Sequence, residues 1–237
     1  MATSLESWDT MAQIQHTRRR AITAGAAILA ALLVGVVLVV KLWPDSGSPS
    51  RGAAKGPDLT WETVATGTQL PVIRSAGPFV QNNGLASGFA HSELGAVMAA
   101  IHISDRAAGA HGPSVFEITI RNQVVGDDSG AMLTRAQAGY EQKREELGLP
   151  EGRPIPSNSG GNRLLAYKIE RYGPDSAVVT LISGVGVDAQ KFFAGTAEVR
   201  WINGDWRLVA PKQGAIENAF SELGSIPTGS VTFEGKR

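Results

Sequence analysis

The chain has 237 residues, no cysteine, and 22 basic against 22 acidic side chains, a formal net charge of zero. Without cysteine there is no disulfide framework, no thiolate nucleophile and no Cys-ligated zinc. The balanced charge, with a basic run of three only at Arg18-Arg19-Arg20, argues against the broad basic face that direct nucleic-acid binding uses.

Met1 to Thr17 is a short polar leader in which Leu5, Trp8, Met11 and Ile14 recur every three residues. Two readings stay open there. One is an amphipathic segment on the inner leaflet or against a cytoplasmic partner; the other is a disordered tail, because so short a helix is marginal alone. Behind Arg18, Arg19 and Arg20 comes Ala21 to Val40, twenty residues without a charge, followed by Lys41-Leu42-Trp43-Pro44. At about 1.5 Å of rise per residue, roughly 20 apolar residues cover the hydrocarbon core of a bilayer, and a helix satisfies its own backbone there. A cleaved signal peptide has an apolar core of about 7–15 residues, so the length predicts a retained anchor. Three arginines before the span outweigh Lys41 after it, which predicts a cytoplasmic N-terminus, with Trp43 at the far interface and the main domain outside the cell membrane. Thr23, Ala27, Ala31 and Gly35 fall four residues apart, a small-residue face suited to close approach of two helices and hence to self-association.

The predicted organisation is a leader over 1–20, a transmembrane helix over 21–43, a Pro/Gly/Ser-rich tether over 44–58 and one extracytoplasmic domain over 59–237. That domain opens on an extended arm from Leu59 to Pro78. Gly88 to Ser104 carries Phe89, Leu94, Val97, Met98 and Ile101 at near-helical spacing, which predicts an amphipathic helix with one buried face. Pro113 to Gln123 fits either a helix or a strand. Leu133 to Leu147 predicts a helix with Thr134 as N-cap, stopped by Gly148 and Pro150. From Leu164 onward the period changes to two. Leu164 to Tyr172 alternates with Tyr167, Ile169 and Arg171 on one side, Gly173-Pro174-Asp175 supplies a turn, and Ala177 to Gly184 is rich in β-formers. Between Trp201-Ile202 and Asp205-Trp206, Asn203-Gly204 is the dipeptide a two-residue type I′ hairpin requires; it predicts Trp201 opposite Trp206 and Val199 opposite Leu208, a pair of core-facing tryptophans. Gly214 to Leu223 is read as a short helix. The sum is an α+β domain, with helices packed on one face of a curved antiparallel sheet.

The side chains capable of chemistry are isolated in the sequence. His91, His102 and Asp105 are the candidates for a base or ligand, with His111 in a nearby loop, yet His91 and His102, read on one helix, stand about 16 Å apart along it and cannot share a metal. Ser92 lies in Ala90-His-Ser-Glu-Leu-Gly95, which lacks the first glycine of a nucleophile elbow. Gly184-Val-Gly186-Val-Asp188 lacks the third glycine of a nucleotide loop and reads as a strand end. Lys143-Arg144-Glu145-Glu146 reads as a solvated helix face, and Asp127-Asp128-Ser-Gly130 as a turn. The expectation is no catalytic residue, no metal and no cofactor.

The span, the tether, the helix-rich first half and the ending Gly195 to Leu208, with its Gly204-Asp205-Trp206-Arg207-Leu208 corner, resemble the nuclear transport factor 2-like superfamily. Its membrane-anchored members include the eighth VirB component of type IV secretion channels and the TcpC proteins of Gram-positive conjugation. The chain is also similar to uncharacterised membrane proteins of actinobacterial integrative and conjugative elements, through Leu59-Thr-Trp61-Glu62, Leu70-Pro71, Gly77-Pro78 and Gly88-Phe89-Ala-His91-Ser92. The strand-like arm and the ambiguous Pro113 to Gln123 segment depart from the superfamily's simple three-helix opening. The resemblance implies a cone-like domain and a scaffold subunit of a conjugation or secretion apparatus, with lipid bilayer, second copies of itself and other apparatus proteins as partners. The alternative is an extracytoplasmic ligand-binding or enzymatic module that uses the cone interior.

Overall fold

The computed structural model describes residues 59–157, 162–185, 191–215 and 220–233. The apolar run Ala21–Val40, its flanks Arg18, Arg19, Arg20 and Trp43, the small residues Ala27, Ala31 and Gly35, and the tether lie outside the described residues. Among the described residues no helix is long and apolar enough to cross a membrane.

The extended arm is a two-stranded ribbon. Strand β1 (Leu59–Thr63) runs antiparallel to β2 (Gln69–Ile73), with Leu59 opposite Ile73 and Thr63 opposite Gln69. A second, smaller ribbon follows, β3 (Val80–Asn82) and β4 (Leu85–Ser87), turned by Asn83 and Gly84 at φ of 50° and 82°. This is the same paired positive-φ geometry that favours Asn-Gly.

Helix α1 (Glu93–Arg106) begins where the Ser92 hydroxyl accepts a hydrogen bond from Gly95 N at 3.1 Å, an N-cap that meets one of the orphan donors of the first turn. Every residue from Gly95 to Arg106 is buried. The expected single buried face is therefore too narrow: α1 touches the sheet on one side and β2, β4 and the following helix on the others. That helix, α2 (Pro113–Gln123), settles the ambiguous segment. Proline at its first position supplies a preset φ and no unmet donor, and Phe116, Thr119, Ile120 and Gln123 are buried at helical spacing. After the short β5 (Val124–Val125) comes α3 (Ser129–Glu146), which starts a turn earlier than expected. Thr134 is not its cap; Asp128 holds that position, and the Thr134 hydroxyl donates back to Gly130 O from within the helix. The C-terminus closes as predicted. Gly148, at φ 62°, donates to Glu145 O, while Leu149 N reaches Arg144 O.

The sheet is built from β6 (Asn162–Gly173), β7 (Ser176–Val185), β8 (Lys191–Ile202), β9 (Asp205–Val209), β10 (Phe220–Leu223) and β11 (Val231–Thr232). Its order is β11-β6-β7-β8-β9-β5, with β10 pairing β8 beside β9. All of these pairs are antiparallel except β5 with β9, so the sheet is mixed where a wholly antiparallel one was expected. β10 also replaces the end of the helix expected over Gly214 to Leu223. The predicted alternation of β6 breaks at Arg171. Ile169 lies opposite Val179 and Arg171 opposite Val178, so Glu170 is an extra residue and Arg171 turns to the other face. At the β8–β9 hairpin, Asn203 and Gly204 take φ of 54° and 82°, and Trp201 pairs with Trp206, Arg200 with Arg207 and Val199 with Leu208. Ala177, Val179, Leu181, Ala197, Val199, Trp206 and Leu208 form the buried sheet face of a core that also takes in Val97, Met98 and Ile101 of α1.

Candidate functional site

Two stretches distant in sequence meet in front of α1. The Asp205 carboxylate accepts Gly88 N at 3.0 Å on one oxygen, and Phe89 N at 2.9 Å and Trp206 N at 3.0 Å on the other; Arg207 Nη1 stands 3.1 Å from the first. The Trp206 indole N–H donates to Ala90 O at 2.9 Å. Next in the chain, the His91 ring stacks on Trp201 with centroids 4.0 Å apart and planes 5° from parallel, and its Nε2 bonds Pro174 O at 2.6 Å. Trp206 stands edge-on to Trp201 at 5.5 Å. The hairpin carrying Trp201, Asn203, Gly204 and Trp206 is thus a clamp on the segment that leads into α1. Charge-assisted bonds to backbone amides are strong where water is excluded, and Asp205 is buried.

A second polar cluster ties the arm to the other end of α1. His102, fully buried, donates from Nε2 to Pro71 O at 2.8 Å, and its Nδ1 lies 2.9 Å from Arg106 Nη1. The same Nδ1 stands 3.4 Å from Glu62 Oε1. Arg106 Nη2 meets Glu62 Oε1 at 2.6 Å, and Gln81 donates to the other carboxylate oxygen. Burial penalises the charge on Glu62, but its side-chain contacts with His102, Arg106 and Gln81, together with the charge of Arg106, outweigh that penalty and hold its pKa down at about 2.

A third contact is deeper. His111 Nε2 lies 2.7 Å from Asp105 Oδ2, with both side chains almost wholly inaccessible. The approach falls outside hydrogen-bonding alignment, and it brings α1 against the 3-10 turn Gly109–His111. Asp105 Oδ1, Ser104 Oγ, Thr119 Oγ1 and Gln123 Oε1 are buried without a hydrogen-bond partner among the described residues.

The residues singled out from sequence therefore fall apart as a catalytic set. His91 precedes α1 and does not share its helix with His102, and His102 and Asp105 engage different partners. Ser92 is a cap. Among the described residues no group of three His, Asp or Glu side chains is placed to hold a metal. β7 ends at Val185, with Gly186 to Asp188 outside the described residues, and Asp128 leads into α3. Lys143 pairs with Glu146 at 3.0 Å and Arg144 with Glu141 at 2.7 Å on the surface of α3. Sequence reasoning missed Glu62, Arg106 and the carboxylate role of Asp205. The one legible signal was the spacing of His102 and Arg106, four residues apart and so neighbours on a helix.

An α+β domain of three helices on a mixed sheet, with buried Asp205, His102 and Arg106 engaged in holding one helix, is the class that these observations define. The chain belongs to the family described as a domain of unknown function, DUF8175, which matches residues 43–230. Comparison with curated proteins gave no match, and neither did comparison with solved structures.

Proposed function

We propose that the protein is a bitopic scaffold subunit of a membrane-spanning conjugation or secretion apparatus, and that its outer domain acts through protein contacts and performs no chemistry. Ala21–Val40 is the anchor, Arg18, Arg19 and Arg20 hold the N-terminus in the cytoplasm, and the domain stands outside on its tether as a cone-like body on a curved sheet. The family match begins at Trp43, where the apolar run ends, which supports reading the span and the domain as separate modules. The carrying observation is what the polar side chains do. Asp205, Trp206, His102, Arg106 and Glu62 bind parts of their own fold, as expected of a rigid body that presents a surface. The partners are the bilayer, a second copy through the Ala27, Ala31 and Gly35 face, and other apparatus proteins, without direct nucleic-acid contact.

A second reading, an extracytoplasmic ligand-binding or enzymatic module, draws support from the buried Asp105–His111 pair, whose Asp105 Oδ1 has no hydrogen-bond partner among the described residues. Purification of the full chain from cross-linked membranes separates the two. A scaffold brings along a transfer ATPase or channel protein; copurification with nothing contradicts the proposal.

A further inference from the structure

Phe79 and Val80 are 58% and 53% exposed, the most exposed large apolar side chains among the described residues. They adjoin each other at the start of β3, where a Cβ added to Gly88 would meet Phe79 Cβ at 3.5 Å and Val80 Cγ2 at 3.7 Å, and Arg74, in the turn between Ile73 and Gly77, is exposed as well. Their place in the fold relative to the chain entry is defined. Leu59, the first described residue, lies opposite Ile73, and Ile73 is bridged to Gly77, two residues before Phe79. Two strand spacings of at most about 5.5 Å and two residues of about 3.8 Å put Phe79 within about 19 Å of Leu59. The apolar pair therefore lies within about 19 Å of the point where the tether enters.

We propose that this Phe79–Val80 corner, together with Arg74 of the preceding turn, rests on the outer surface of the bilayer. The inference depends on the anchor reading above and deepens it, by assigning the domain a membrane-facing side. The fifteen residues of 44–58, rich in Gly, Pro and Ser, have a coil-like reach of roughly 21 Å, so the tether keeps its own end of the domain at the headgroups without being stretched. An aromatic ring next to an aliphatic side chain and an arginine is the composition that settles at a membrane interface: the ring and the Arg stem take the acyl boundary and the guanidinium stays with phosphates. A short ribbon is also the right geometry. β3 is exposed along its length, so the two side chains reach the surface without moving the core.

The absence of cysteine makes the test direct. The full chain is reconstituted into vesicles of phosphatidylcholine and phosphatidylglycerol as two single-cysteine variants, Asn82→Cys beside the corner and Leu147→Cys at the exposed end of α3, each carrying an environment-sensitive fluorophore. Spin-labelled lipid in the outer leaflet is expected to quench the probe at 82 several-fold more than the probe at 147. Adding Phe79→Ser and Val80→Ser brings the quenching at 82 down to the level at 147, while the thermal melt and flotation with vesicles are unchanged. Equal quenching at both positions in a chain that still floats overturns this proposal and leaves the anchor standing. Disulfide cross-linking through Asn82→Cys without lipid quenching assigns the corner to a second copy and overturns it too. A chain that alkaline washing strips from the vesicles refutes the anchor, and this proposal falls with it.

Discussion

Helices α1 and α3 are of similar length and opposite in kind. α1 is buried from Gly95 to Arg106 on all sides, whereas α3 buries only Met132, Ala136 and Tyr140, one stripe four residues apart. A surface helix places its polar residues in water, where they need no partner. A central helix gains by partnering them, because an unmet buried donor or acceptor costs about 1–3 kcal/mol, a cost that Ser104 Oγ and Asp105 Oδ1 still carry. This is why His102, Asp105 and Arg106, which look like chemistry in the sequence, are bound to Pro71, His111 and Glu62. The difference teaches that polar residues on the helix at the centre of this domain are first of all joints.

The contrast breaks most sharply at glycine. A Cβ on Gly95 of α1 meets Ala90 O at 1.9 Å, while one on Gly130 of α3 meets nothing within 4 Å. Gly95→Ala is expected to destabilise by about 3 kcal/mol or more, through displacement of the segment that Asp205 and Trp206 clamp. Gly130→Ala is expected to be neutral or stabilising by up to about 1 kcal/mol. Urea unfolding midpoints of the two variants decide it. Next in size is the clamp. Asp205→Asn keeps the shape but loses the charge that Gly88, Phe89 and Trp206 amides share, at a cost of about 2 kcal/mol, read by the same midpoints and by loss of amide-exchange protection at Phe89.

The joint at the other end of α1 is sharpened by pH. The Glu62 pKa is depressed from 4.5 to about 2 in the folded protein, so its contribution is fully present above pH 4.5 and lost as pH falls towards 2. Because the carboxylate is partly solvated, the loss is about 1 kcal/mol after allowing for screening. Glu62→Gln should flatten the stability profile in that window, and an unchanged acid slope would remove Glu62 from the account. Smallest is the surface of α3. Arg144→Ala breaks the pair with Glu141 and the bond to Leu149 O, and is expected to shift the urea midpoint least of these variants.

The same contrast decides what was legible in the sequence. α3 announced itself through composition and through the Gly148 stop, and β8–β9 through Asn203-Gly204, because those signals are local. Asn83-Gly84 carries the same turn signal as Asn203-Gly204, but its strands are three residues long, too short to show a period of two. The full burial of α1 was hidden because an apolar stripe presupposes a solvent face, and the layers that cover this helix come from the arm and from α2. The extra residue at Glu170 is set by pairing with β7, which nothing in β6 alone reveals. The hairpin tryptophans were readable as a pair, yet their partners Ala90 and His91 lie more than a hundred residues earlier in the chain.

The proposed role requires the apolar run Ala21–Val40 to hold the domain on the far side of the membrane from the leader. The direct measurement labels intact cells with a membrane-impermeant maleimide, comparing the full chain carrying Ser4→Cys with the full chain carrying Leu147→Cys, a position 48% exposed in the folded domain. The account predicts that Leu147→Cys is labelled and Ser4→Cys only after the cells are opened. Labelling of Ser4→Cys in intact cells, or protection of Leu147→Cys until lysis, would contradict it.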